Sequence, residues 1–185
     1  LKGKIVFLNG VPRAGKSSVI KELQSLSKEI WINLGVDQTA TMIDKKFSPG
    51  MGLRPGKEFP EIEGTVKNLY IALFHSVACY NNQGFHVIVD VGFHTDYHIE
   101  FNPYDEMKKI LNEENVHLFT IYCPPDVVME RRNRTWRQEW DGKQVPEYVY
   151  RWDHAVYKSN LSTYQFDTSC ISSKQIAQKI LQIIN

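Results

Sequence analysis

The chain has 185 residues, 42% of them hydrophobic, and its 22 Lys plus Arg nearly balance 21 Asp plus Glu for a formal charge of +1. That length buries one substantial core and is short for two, the charge excludes a global electrostatic pull toward nucleic acid or anionic membrane, and no apolar run approaches the roughly 20 residues of a membrane span. Cys79, Cys123 and Cys170 make neither a C-x-x-C pair nor an even disulfide framework, so reduced thiols and a cytoplasmic location are expected.

The first apolar run, residues 5–8, reads as a buried strand and leads into Gly10-Val11-Pro12-Arg13-Ala14-Gly15-Lys16-Ser17, which fits G-x-x-x-x-G-K-[ST] without a mismatch. Glycines at these positions let the backbone curl until successive N–H groups converge on phosphate oxygens, and the following helix adds its positive end. Lys16 then reaches the terminal phosphates and the Ser17 hydroxyl can ligate Mg²⁺, with Ser18 in the same turn. Val19, Ile20, Leu23 and Leu26 recur at the 3.6-residue period of a helix packed on one side.

A second run, residues 30–34, is followed by Gly35-Val36-Asp37. Asp37 has two readings: it caps a helix starting near Gln38, or it faces the terminal phosphate and takes the proton of an attacking hydroxyl. Residues 48–56 are dense in Pro and Gly and read as a mobile excursion beside the ligand site or as a passive surface loop. Val66, Leu69, Tyr70, Leu73, Phe74 and Val77 mark the next helix.

The third run, residues 85–91, contains the unbroken Val87-Ile88-Val89 of a strand buried on both faces and ends at Asp90. A carboxylate at the end of such a strand helps hold Mg²⁺ beside a phosphate loop, although Asp also begins ordinary turns. His94 and His98 lie just beyond. Zinc would need further ligands, which leaves substrate contact or packing as their expected roles. Pro103 suits the first position of a helix.

After the fourth run, residues 117–123, come Arg131, Arg132, Arg134 and Arg137 within a segment of about residues 130–143. Helical spacing stacks Arg131 with Arg134 and Arg134 with Arg137. A lid of this kind brings positive charge onto a migrating phosphoryl group while excluding water; the competing reading is a solvated face paired with Glu130 and Glu139, which Trp136 and Trp140 make less comfortable. Pro146 marks another helix start. The fifth run, residues 164–166, leads to Asp167-Thr168-Ser169, which suits a loop by a purine or an Asx turn. No N-K-x-D guanine motif is present. Ile176, Ile180, Ile183 and Ile184 give the last helix its buried side. Strands alternating with helices predict one three-layer α/β domain over residues 1–185, with a five-stranded parallel sheet flanked by helices.

Several segments together resemble the chloramphenicol phosphotransferase family of P-loop kinases over most of the chain. They are Leu8-Asn9-Gly10 through Ser17, Trp31-Ile32-Asn33-Leu34-Gly35-Val36-Asp37, Gly56-Lys57-Glu58-Phe59 running on to Glu63-Gly64, Val89-Asp90-Val91, Cys123 with its following helix, and Tyr164-Gln165-Phe166-Asp167-Thr168. The second is similar to the family's W-x-x-x-G-V-D segment and is the discriminating one. The resemblance implies an enzyme that uses ATP and Mg²⁺ to phosphorylate a primary hydroxyl of a small molecule, with Asp37 as base. It departs from the family at Val89, where a second acid is often found, and at Arg134-Thr135-Trp136-Arg137, where the family commonly reads R-G-D-R.

The expected assignment is therefore as follows. The octet with Ser18, Arg131, Asp167 and Thr168 binds the nucleotide; Ser17 and Asp90 hold the metal; Asp37, Lys16, Arg134 and Arg137 carry the transfer. The partner is a small hydroxylated acceptor rather than nucleic acid or membrane. A nucleoside, nucleotide or metabolite kinase, or a catalytically silent nucleotide-binding module, would share the sheet.

Overall fold

The computed structural model describes residues 2–44, 59–111, 115–136, 140 and 142–184, and for Asp37, Ala40 and Trp136 the backbone alone. Its elements in chain order are β1 (Ile5–Asn9), α1 (Lys16–Leu26), β2 (Trp31–Asn33), α2 (Val36–Thr41), a 3₁₀ turn (Pro60–Ile62), α3 (Glu63–Asn82), β3 (His86–Val91), α4 (Pro103–Ile110), β4 (Val116–Tyr122), α5 (Pro125–Trp136), α6 (Glu147–Tyr157), β5 (Tyr164–Asp167) and α7 (Ser173–Ile184). All five expected strands form, within a residue or two of the apolar runs. Ile30, expected to open the second strand, is instead 65% exposed.

The strands pair in parallel in the order β2-β3-β1-β4-β5. The chain leaves β1 toward one side of the sheet and later returns to the other, so the crevice beyond the carboxyl end of β1 is the switch point at which such sheets collect ligands. Every residue of β1 is buried, as a central parallel strand requires.

Alternation along β1 divides the core in two. Val6 and Leu8 join Val19, Ile20 and Leu23 of α1 and Ile176, Ala177 and Ile180 of α7, while Ile5 and Phe7 join Val66, Tyr70, Leu73, Phe74 and Val77 of α3 and Met107 of α4. At the sheet edge, Trp31 stacks on His86 with ring centroids 4.9 Å apart and donates from Nε1 to Ser27 Oγ at 3.0 Å. This fastens β2 to the end of α1. Pro103 occupies the first turn of α4 behind an Asn102 cap whose side chain accepts from Tyr104 N–H at 3.1 Å. Pro146 stands one position earlier than expected, as the N-cap of α6. Among the described residues no helix is long and apolar enough to cross a membrane.

The last helix corrects one expectation: Ile180 is fully buried, whereas Ile183 is 37% exposed. Three residues advance a helix by about 300°, which carries Ile183 off the buried stripe that Ile176, Ile180 and Ile184 keep. Ile180→Ala should therefore cost about 2–5 kcal/mol of stability and Ile183→Ala under about 1 kcal/mol, as read from urea unfolding. Equal losses would show that the stripe is misplaced.

Candidate functional site

The sequence at the end of β1 forces a tight curl. Gly10 sits where a Cβ would come within 2.3 Å of Ile121 O, so a side chain there would drive β1 and β4 apart. Arg13 and Gly15 adopt left-handed backbone at φ 67° and 104°, the conformation that turns loop amides toward one centre. Gly15 is the N-cap of α1 and makes no side-chain cap bond. The first intrahelical bonds run from Ser18 and Val19 N–H to Gly15 O, both at 3.1 Å. The preceding amides, Lys16 and Ser17, thus open from the helix toward the crevice, where the positive end of α1 favours an anion.

Lys16 is 8% exposed, and its Nζ donates to Gly10 O at 2.6 Å and Val11 O at 2.9 Å. The ammonium thus rests on the loop's own carbonyls, and phosphate oxygens are stronger, charged acceptors for the same donors. Ser17 and Ser18 are exposed beside it.

Three side chains from the far half of the chain brace the loop from behind. Thr168 Oγ1 lies 2.6 Å from Ala14 O and 3.2 Å from Tyr122 O, and its single hydrogen serves the nearer carbonyl. Arg131 donates from Nη1 to Arg13 O at 3.1 Å and to Thr168 Oγ1 at 2.8 Å, and from Nη2 to Thr168 O at 2.9 Å. The Tyr157 hydroxyl accepts from Val11 N–H at 3.1 Å and donates to Ile121 O at 2.8 Å. Burial pushes this phenol well above the ordinary tyrosine range, which keeps it a donor. Arg131 and Thr168, expected to bind the nucleotide, lie against the loop, and the bonds described for them brace its backbone. Tyr157 was missed. It sits 146 residues from Val11, and a tyrosine ending an amphipathic helix carries no local signal.

Asp167 accepts from Ser169 N–H at 2.8 Å and Ser169 Oγ at 2.6 Å, the geometry of an Asx turn after β5. Asp90 is 3% exposed and pairs in register with Leu8. Strand alternation puts it on the α1 face with Ile88, while Val89 and Val91 face α3. A Cβ on Gly35 would fall 1.3 Å from Asp90 Oδ1, so the glycine of the W-x-x-x-G-V-D segment is what lets this carboxylate lie against the turn into α2. A buried carboxylate and an exposed serine hydroxyl on one side of the sheet are hard oxygen donors suited to Mg²⁺, which takes few protein ligands and keeps several waters.

The helix expected to start near Gln38 starts at Val36 and has Gly35 as its N-cap. Asp37 is therefore the second helical residue, and the cap role passes to Gly35. Its side chain lies outside the described residues, as do Arg137 and the turn-rich segment 48–56. Arg134 is exposed in the last turn of α5. Arg132 parts from its neighbours: it is 4% exposed, with its guanidinium 5.2 Å from the Tyr148 ring and 4.9 Å from the Trp152 ring. These contacts join α5 to α6.

Among the described residues no group of His, Cys, Asp or Glu is placed to hold a metal by itself. His98 meets Glu63, which the sequence marked only as part of the segment running on to Glu63-Gly64, with no role of its own. Glu63 is 2% exposed and accepts from His98 N–H at 2.7 Å and Ile99 N–H at 3.0 Å, with His98 Nδ1 at 3.0 Å. Burial alone would raise this carboxyl, but its bonds to His98 and Ile99 outweigh that and hold it below the usual range. The ionised Glu63 thus pins the loop after β3 to the start of α3.

Comparison with solved structures places the same fold in proteins of low sequence identity. Shikimate kinase from Acinetobacter baumannii, in complex with shikimate, superposes with a TM-score of 0.60 at 17% identity over 98% of this chain and 93% of that one. A gluconokinase from Sinorhizobium meliloti gives 0.61 at 14% identity over 99% and 91%. The YorR protein of Bacillus subtilis, in complex with phosphorylated GDP, gives 0.59 at 19% identity over 97% and 95%. The sequence itself matches no curated protein. The profile of the chloramphenicol phosphotransferase-like proteins matches residues 3–185, nearly the whole chain, and the chain belongs to that family.

Proposed function

We propose that the protein is an ATP-dependent O-phosphotransferase that moves the γ-phosphoryl group onto a hydroxyl of a small molecule, with chloramphenicol as the reference acceptor. The observation that carries this reading is the placement of Lys16: a buried ammonium on the carbonyls of Gly10 and Val11, at the open end of α1, with Asp90 on the same face of the sheet. Lys16 and the loop amides would hold the β- and γ-phosphates. Mg²⁺, held by Ser17 and Asp90 directly or through water, would neutralise charge on the phosphate oxygens. Asp37, entering α2 one residue after the Val36 that follows Gly35, would orient the acceptor hydroxyl and take its proton. Arg134 and Arg137 would bring positive charge to the migrating group as the segment at about residues 130–143 closes. The exposed thiols Cys79 and Cys170 fit a reducing, cytoplasmic compartment.

The reaction is tested by ADP release from Mg-ATP with chloramphenicol, glycerol, thymidine, gluconate and shikimate as acceptors. Release stimulated by none of them, despite tight ATP binding, would favour a binding module instead. Asp37→Asn should keep ATP affinity within about threefold in calorimetry and lose about 10²- to 10⁴-fold of acceptor-stimulated release. Tyr157→Phe leaves Val11 N–H and Ile121 O without their partner. It should lower stability by about 1–3 kcal/mol and weaken ATP about tenfold, and an unchanged dissociation constant would show that the loop holds its shape unaided.

A further inference from the structure

A second set of polar groups lies on the α3 face of the sheet, and phosphate binding does not use it. Asn9, Tyr70 and His94 are 0%, 0% and 4% exposed, and each keeps one polar atom without a hydrogen-bond partner: Asn9 Nδ2, Tyr70 Oη and His94 Nε2.

Topology gathers these residues at one end of the sheet. Asn9 ends β1 and shares the face of Ile5 and Phe7 by alternation. Its Oδ1 accepts from Phe93 N–H at 2.8 Å, which fixes the amide and holds the residue next to His94. The chain enters α3 at the carboxyl edge of the sheet, because it must leave α3 at the amino edge to begin β3 in parallel. Glu63 and Tyr70, in the first turns of α3, therefore lie at the edge where ligands collect. Aromatic rings make the link continuous: His94 stacks on Tyr97 at 4.3 Å, Tyr97 meets Phe101 at 5.2 Å and Phe101 meets Tyr70 at 5.9 Å.

The tautomer of His94 follows from its neighbours. Its Nδ1 lies 3.2 Å from Asp96 N–H and accepts from it, which leaves the ring proton on Nε2. Burial, the main cause, pushes the ring down to about 4, so Nε2–H is an uncharged donor at neutral pH. A core with no ligand to bind would be better served by Phe at positions 70 and 94, since an unmet buried donor loses water and gains nothing. Such orphans are retained where a ligand completes them.

We infer that Asn9 Nδ2, Tyr70 Oη and His94 Nε2 form the acceptor subsite and seat an uncharged, oxygen-bearing end of a small alcohol, whose hydroxyl, carbonyl or ether oxygens accept from the two N–H donors. This rests on the phosphotransferase reading above. The rings of Tyr97 and Phe101 flank the apolar part of the molecule. A carboxylate or phosphate is disfavoured at this end, because Asp96 and ionised Glu63 both act on His94 against one opposing cation, Lys158, which Asp96 itself pairs, while Glu63 acts on Tyr97 and Asp90 on Tyr70.

The test uses Tyr70→Phe and His94→Phe, which keep the rings and remove the hydroxyl or the N–H, and His94→Gln, which returns a donor near the Nε2 position. Acceptor KM, measured with whichever of chloramphenicol, glycerol and thymidine supports ADP release, should rise about tenfold or more in both Phe variants and recover in part with Gln. Mg-ATP affinity should stay within about twofold, and the melting temperature of Tyr70→Phe should hold or rise. An unchanged acceptor KM in both Phe variants overturns the inference. So does a preference for gluconate or shikimate over every neutral alcohol. A readout that needs no turnover is the His94 Nε2–H signal in nitrogen-15 spectra of the protein with Mg-AMPPNP: at least one of the three neutral alcohols should move it, and a signal unmoved by all three sinks the subsite. A shift without ADP release would uphold the subsite and defeat the transfer reading; ADP release with the signal and KM untouched would do the reverse.

Discussion

A phosphate-binding loop must turn its N–H groups inward, and the consequence is that its carbonyls face the protein and need donors there. The rest of the structure depends on meeting that demand. Lys16 covers the carbonyls of Gly10 and Val11, Arg131 covers Arg13, and Thr168 covers Ala14. Val11 N–H needs an acceptor and finds the Tyr157 hydroxyl. The donors come from α1, α5, the turn after β5 and the end of α6, so the loop takes its shape only once the sheet has closed around it. Unmet, each buried carbonyl or amide would cost about 1–3 kcal/mol, a large share of the 5–15 kcal/mol by which a domain is stable.

The end of α6 extends this bracing to the other side of the crevice. Tyr157 holds the phosphate loop, and the next residue, Lys158, pairs with Asp96 in the loop that follows β3. Glu63 pins the same loop from α3. Two neighbouring residues thus fix the distance between the part that holds phosphate and the part that carries His94. The transfer proposed above needs its reacting atoms aligned to within a fraction of an ångström, and a strut of this kind would serve that alignment without contacting either reactant.

How much of this was legible follows the reach of each signal. The strands and the octet at the end of β1 were readable because apolar runs and the glycine spacing of a curled loop leave contiguous marks, most plainly in β1 and β3, which are buried almost throughout. The order of strands was not readable: alternation of strand and helix predicts a parallel sheet but not which strands lie side by side, and the switch point emerged only with the pairing. Tyr157 and the role of Glu63 were not readable, since their partners are 146 and 35 residues away and one polar residue on a helix face has many ordinary explanations. The arginine cluster shows the limit of spacing alone. Arg131 and Arg132 are adjacent, yet a 100° step sends one to the phosphate loop and the other against the rings of Tyr148 and Trp152. Asp37 was misread as a possible cap because Gly35, which carries no side-chain signal, already fills that position.

Strand alternation also explains what the departure at Val89 changes. A second acid at that position would point to the α3 face, away from Ser17 and toward the side of Tyr70 and Glu63, because Asp90 and Ile88 occupy the α1 face. Because the two positions serve opposite faces, valine at 89 leaves Asp90 in place on the α1 side. What it removes is negative charge behind the loop after β3, where Val89 packs among Phe7, Phe74 and Phe93. Valine in that place extends the apolar wall toward Tyr70 and leaves the remaining polar groups there dominated by uncharged donors. Neighbouring positions of one strand serve opposite faces, so a change at position 89 can alter one side of the crevice while the side that carries the phosphate-type loop keeps its residues.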